Sequence, residues 1–291
     1  MKLEILYEDK DALVINKPAG ISVHPSEQEM LIRAGGDARP NTESGRGKTN
    51  EQTLTDFILE KYPELETVGE PIALSNVTSQ MSNVISRPGI VHRLDKETSG
   101  ALLIAKNQEA YEFFKKQFKG REIEKIYHAF VYGWPKEDVF SVDLPIGRST
   151  GDIRKWGTGK NTRGVMRDAL TQFKVLSRFS VDPNSTQILN LKSEDSLKKG
   201  STENGTYSFV EVRPKTGRTH QIRVHLKSVN HPVVADSLYA PSRFGKGEDL
   251  GFDRLALHAR TLSFTLPNGE KKTIEAPYPK DFENAVKTLD L

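Results

Sequence analysis

A chain of 291 residues with 36% hydrophobic and 28% charged content can bury one large core or two small ones, and its net charge is only +3. No apolar run approaches the eighteen residues of a membrane helix, and Glu4, Glu8 and Asp9 interrupt any signal-peptide core at the N-terminus. The absence of cysteine excludes disulfides, thiolate nucleophiles and cysteine-ligated zinc, and the cytoplasm is the expected location.

Taken in chain order, LEILYE and ALVIN around DKD predict a hairpin, which Pro18 and Gly20 then end. Polar stretches near 26–52, 66–87 and 183–206 read as loops or insertions in a single domain spanning 1–291. The last also reads as an extended hairpin. The GKT at 47–49 is no phosphate loop, because the first glycine that motif needs falls on Thr42. Thr53 caps an expected helix with Leu54, Phe57 and Ile58 on one face. Residues 89–100 look like part of a sheet, and ALLIAK after Gly100 reads as a buried strand. Asn107 caps a second helix, with Ala110, Phe113, Phe114 and Phe118 as its core face and Gly120 as its stop.

KIYHAFVYGW, LTQFKVLSRF and YSFVEVRP predict strands. A third helix is expected in RTHQIRVHLKSVNHP, capped by Thr219 and closed by Pro232. Strands around an Asn-Gly turn are expected to end the chain. The class is therefore α+β, with a mixed, largely antiparallel central sheet and flanking helices.

Three features carry possible chemistry. In GIVHRLDKETSG, His92, Arg93 and Asp95 crowd into four positions, and a carboxylate held near an arginine is a candidate nucleophile for a sugar anomeric carbon. A structural ion pair of Asp95 with Arg93 or with a neighbouring strand is the plainer reading from spacing alone. A second cluster, Lys215, Arg218, His220 and Arg223, loads a helix start with cations and suits either an anionic partner or solvent. The third is charge: residues 147–178 hold Arg148, Arg154, Lys155, Lys160, Arg163, Arg167, Lys174 and Arg178 against Asp152 and Asp168. That excess fits a nucleic-acid backbone or a solvated loop equally. Neither His-Glu-X-X-His nor Gly-X-Ser-X-Gly occurs, so no metal site and no serine-hydrolase elbow is expected.

VHRLDKETSG, EKIYHAFVYG, LPIGR, VRPKTGRTHQIRVHL, HPVVADSLY and RLALHA together, in this order, resemble the RluA-type RNA pseudouridine synthases. ILYEDKDALVINKPAGISVHP resembles that family's N-terminal signature, so no S4-type domain is expected ahead of it. The resemblance runs from about residue 3 to 279 and implies the pseudouridine synthase fold. It implies Asp95 as the catalytic aspartate, Tyr127 as the active-site tyrosine and Arg223 as the basic residue that pairs with Asp95. Ile222 is implied to pack near the target base, and Arg93 to enter the RNA helix as the base leaves. His92, Arg218 and His220 complete the expected substrate-binding set. Ala235 and Ala240 stand where the family more often has glycine, and the polar loops are longer than its pattern.

The implied reaction is a redox-neutral isomerisation of uridine to pseudouridine in ribosomal or transfer RNA, by a monomer without metal or cofactor. Two other readings remain: an inactive RNA-binding or ribosome-assembly protein on the same fold, and a glycosidase using Asp95.

Overall fold

The computed structural model describes residues 3–25, 51–70, 87–181, 188–190, 205–241 and 250–289. The expected insertions lie largely, and the GKT at 47–49 wholly, outside these residues.

Strands β1 (Glu4–Glu8) and β2 (Ala12–Lys17) form the expected hairpin, with Asp9 Oδ1 accepting the Asp11 and Ala12 amides at its turn. Helix α1 (Leu54–Lys61) starts at Thr53, whose N–H donates to the Asp56 carboxylate at 2.7 Å. Strand β3 (Ser99–Ala105) is buried at every residue. In α2 (Gln108–Gly120) the Asn107 side chain caps the Ala110 amide at 2.8 Å, as the sequence predicts. Gly120 is still helical; the left-handed residue that ends α2 is Arg121, at φ 61°.

Beyond β4 (Glu124–Tyr132) come β5 (Val139–Asp143), β6 (Ile146–Ser149), β7 (Trp156–Gly157), β8 (Thr162–Arg167) and β9 (Leu170–Val181). Then follow β10 (Ile188–Asn190), β11 (Thr206–Pro214), α3 (Gln221–Ser228), β12 (Leu257–Thr265), β13 (Lys271–Glu275) and α4 (Lys280–Thr288). The main sheet runs β1-β2-β3-β12-β4-β11-β9-β10, with β13 on β12 and β5 on β9. Every pair is antiparallel except β3 with β12, so the α+β class with a mixed, mainly antiparallel sheet holds.

That parallel contact depends on Gly100. At φ 115° it lies so close to β12 that a Cβ would sit 2.2 Å from the Ala259 carbonyl oxygen. Two apolar cores flank the central strands. One lies under β1–β3, α1 and α2, the other among β4, β9, β11, α3 and α4, and Tyr127 packs against both.

Four expectations need correction. Residues 89–98 form no strand; apart from one bridge, Ile90 to Ile104, they are turns and extended loop. The first part of the basic stretch, up to Arg167, folds into a separate sheet, β7-β6-β8, rather than a bare loop, while Lys174 and Arg178 lie on β9 of the main sheet. The chain ends in a helix, α4, after the Asn-Gly hairpin of β12 and β13. Helix α3 is capped by His220 in the left-handed conformation, not by Thr219.

Candidate active site

The loop carrying Asp95 is held from several sides. Leu94 and Val91 anchor it in the first core, and the Gly20 amide donates to Lys96 O at 2.9 Å. Lys17 is fully buried beneath the loop, its Nζ donating to the carbonyls of Pro18, Lys96 and Thr98 at 2.8, 3.0 and 2.9 Å. Those three acceptors hold the ammonium form. Burial works against it, bringing Lys17 down to about 7, while Glu97 and Asp95 pull upward. Arg254 adds a bond to Glu97 O at 3.2 Å.

Asp95 emerges from this loop at the floor of a cleft of about 860 Å³, within the size range of small-molecule sites. Arg223, on the first turn of α3, reaches it with one N–H, Nη1 to Oδ2 at 3.2 Å. The other side of the guanidinium forms two bonds of 2.7 Å to Asp236, whose side chain is 0% exposed. Asp236 Oδ1 also accepts the Leu238 and Tyr239 amides at 3.0 Å. Burial opposes the Arg223 charge, but the Asp236 bonds and the Asp95 carboxylate outweigh it and raise its proton affinity. Tyr127, in the middle of β4 between Ala259 of β12 and Val212 of β11, lines the same cleft. Burial, then the Asp95 charge, pushes its phenol upward, so it keeps its proton.

A carboxylate, a phenol and a guanidinium thus meet in one cleft, on residues 95, 127 and 223. The family model for RNA pseudouridylate synthase matches residues 11–228, a span that contains all three. The chain belongs to the RNA pseudouridylate synthase family. Its activity class is that of an RNA pseudouridine synthase, an isomerase. An uncharacterized RNA pseudouridine synthase of Synechocystis is 34% identical over 97% of this chain and 67% of its own length. One from Bacillus subtilis is 32% identical over 99% of this chain and 73% of its own length. The ribosomal large subunit pseudouridine synthase D of Neisseria meningitidis is 33% identical over all of this chain and 62% of its own length. In fold, human RNA pseudouridylate synthase domain containing 1 matches with a TM-score of 0.63 at 24% identity, covering 96% of this chain and 84% of its own.

The remaining expected residues of this enzyme fall in or beside the cleft, in different states. Arg93 is exposed and makes no ion pair among the described residues, so the pairing with Asp95 suggested by spacing is absent. Ile222 and His220 line the wall, with His220 Nε2 at 4.0 Å from Asp95 Oδ2. Arg218 lines the rim and donates to Asp168 O at 3.0 Å. His92 stacks on Phe118 at 4.6 Å, and its Nε2 accepts the Leu103 amide at 2.9 Å. Burial holds it neutral, down to about 3, leaving only Nδ1–H for anything else.

His225, which follows the basic cluster in the chain, is core: it bonds Thr171 Oγ1 and Leu144 O and is fully buried. Lys125, two residues before Tyr127, also lines the cleft, and burial lowers it to about 8. Sequence reasoning did not single out Lys17, Lys125, Asp236 or Tyr239. All four lie inside the motifs that carry the resemblance, yet nothing local marks them as site residues. Ala235, beside Asp236, adopts φ 56°, a left-handed conformation that glycine takes without strain.

Proposed function

We propose that this enzyme isomerises uridine to pseudouridine in ribosomal or transfer RNA, with Asp95 as the reacting carboxylate. The observation that carries the reading is the placement of Asp95 itself. It stands 18% exposed in a cleft, bonded by one N–H of an arginine whose Nε and Nη2 each donate to Asp236. A carboxylate so held has its charge compensated yet keeps lone pairs facing the cleft.

The N1–C1′ bond breaks and a C5–C1′ bond forms; a proton leaves C5 and one is taken up at N1, so no electrons are exchanged with a cofactor. Asp95 serves either by attack at C1′ or by taking the C2′ proton as uracil departs. Tyr127, kept as a phenol, donates a hydrogen bond to the base or relays the proton. Ile222, 7% exposed, supplies an apolar face for the ring.

A stacked base has to leave its helix to reach Asp95, at a cost of a few kcal/mol. Arg93, exposed beside the cleft, fills the gap. Lys116, Lys119 and Arg121 on the cleft wall, and Lys160, Arg163 and Arg167 on the small sheet, suit the RNA backbone.

The test is pseudouridine mapping of total RNA from a strain lacking the gene. One or a few uridines are expected to lose the modification and to regain it with the wild-type gene but not with Asp95→Asn. An unchanged map, or full restoration by Asp95→Asn, contradicts the reading.

A further inference from the structure

Tyr239 is 2% exposed and packs with Ile146, Ala169 and Val224 where the small sheet meets α3. Its Oη accepts the Trp156 backbone N–H at 2.8 Å and lies 2.8 Å from His220 Nδ1. The Arg223 guanidinium sits over its ring at 4.9 Å. One buried phenol therefore touches both of the side chains that flank Asp95 on α3.

The hydrogen placement follows from these contacts. A backbone N–H only donates, so the Trp156 bond occupies a lone pair of Oη and leaves the phenolic hydrogen to be placed. Among the described residues, His220 Nδ1 is the acceptor within reach. Burial pushes the Tyr239 phenol up to about 12, so it retains that hydrogen. Burial also lowers His220 below its ordinary value, against the pull of Asp95 and Asp236 and with Arg223 and Arg93 adding to the effect.

A neutral imidazole that accepts at Nδ1 carries its own proton at Nε2. Nε2 faces Asp95 Oδ2 at 4.0 Å, too long for a hydrogen bond and close enough for one substrate oxygen to bridge. The backbone adds an independent mark. His220 holds φ 55°, a left-handed conformation costly for a residue with a Cβ, and strain of this kind persists where surrounding contacts over-determine it.

We propose that Tyr239 is a positioning residue that fixes His220 as the Nε2–H tautomer, so that the site presents an N–H donor beside Asp95 to an oxygen of the incoming uridine. The donor's use in turnover rests on Asp95 being the reacting carboxylate. The tautomer itself is a property of the free protein and does not.

Long-range proton–nitrogen correlation spectra of the 15N-labelled full chain read the tautomer, with His220→Gln assigning the signal. Wild-type His220 is expected to show an unprotonated Nδ1 and a protonated Nε2. Tyr239→Phe keeps the ring against Arg223 and removes only the hydroxyl. It is expected to give a mixture of tautomers and a kcat lowered about tenfold, with RNA affinity unchanged.

A second comparison separates function from backbone strain. Glutamine presents its amide near the Nε2 position, whereas asparagine tolerates the left-handed backbone better. His220→Gln is therefore expected to be the more active of the two and His220→Asn the more stable. The proposal is overturned by a protonated Nδ1 in the wild type, by an unshifted tautomer in Tyr239→Phe, or by a shifted tautomer at undiminished kcat. If Tyr239→Phe does not fold, a His220→Asn at least as active as His220→Gln overturns it. Full turnover by Asp95→Asn, with the tautomer as expected, instead removes the reading of Asp95.

Discussion

Arg223 divides its guanidinium unequally between two carboxylates: two bonds of 2.7 Å go to Asp236 and one of 3.2 Å to Asp95. Asp236 is the anchor, and Asp95 is held by the single longer bond. The resemblance paired Asp95 with Arg223, and that pairing is present. Asp236 was not legible, because nothing near VVADS distinguishes a buried ion-pair acid from a surface one. Lys17 was equally silent, since a lysine at the end of a strand is ordinarily solvated. Its three carbonyl partners tie the end of β2 to the loop of Asp95. Lys17→Met removes all three donors and leaves buried carbonyls unpaired, a loss of ~2 kcal/mol or more. A lower urea midpoint is expected, together with a slower single-turnover rate as the loop loosens. A variant as stable and as fast as the wild type would show that Lys17 does not hold the site.

Where a local signal existed, the elements were readable. The Asp9 turn, the Asn107 cap and the Asn-Gly hairpin all form where their residues demand. Residues 89–95 misled because buried side chains on a pinned loop give the same apolar pattern as a strand; Ile90, Val91 and Leu94 are all core. Helix α4 was missed although Phe282, Ala285 and Leu289 lie on one buried face and Asp281 and Glu283 stand in its first turn. The small sheet had almost no local signature. Ile146 is buried, while β8 is half-buried or exposed throughout, and the sheet packs through Trp156 onto a cluster with Val224 and Tyr239. Such an element is specified by tertiary contacts, which periodicity does not report.

At the scale of the molecule, the site lies on the seam between two cores, with Tyr127 in contact with both. Burial also lowers all seven histidines, to about 4 for His24 and His128 and about 3 for His92 and His258. An unfolded imidazole titrates near ~6.5, so below that pH the unfolded chain binds more protons than the folded one. The stability from these neutral rings is complete above that pH and is lost as the pH falls toward their folded values. Tm is expected to drop by more than ~5 °C between about pH 7 and 5, with proton uptake on unfolding; a flat profile would contradict this. The central claim, that Asp95 performs the isomerisation, is tested most directly with RNA tritiated at uridine C5. The wild type is predicted to release tritium as the C5–C1′ bond forms, and Asp95→Asn to bind the same RNA with undiminished affinity and release none. Substantial release by Asp95→Asn would contradict the account.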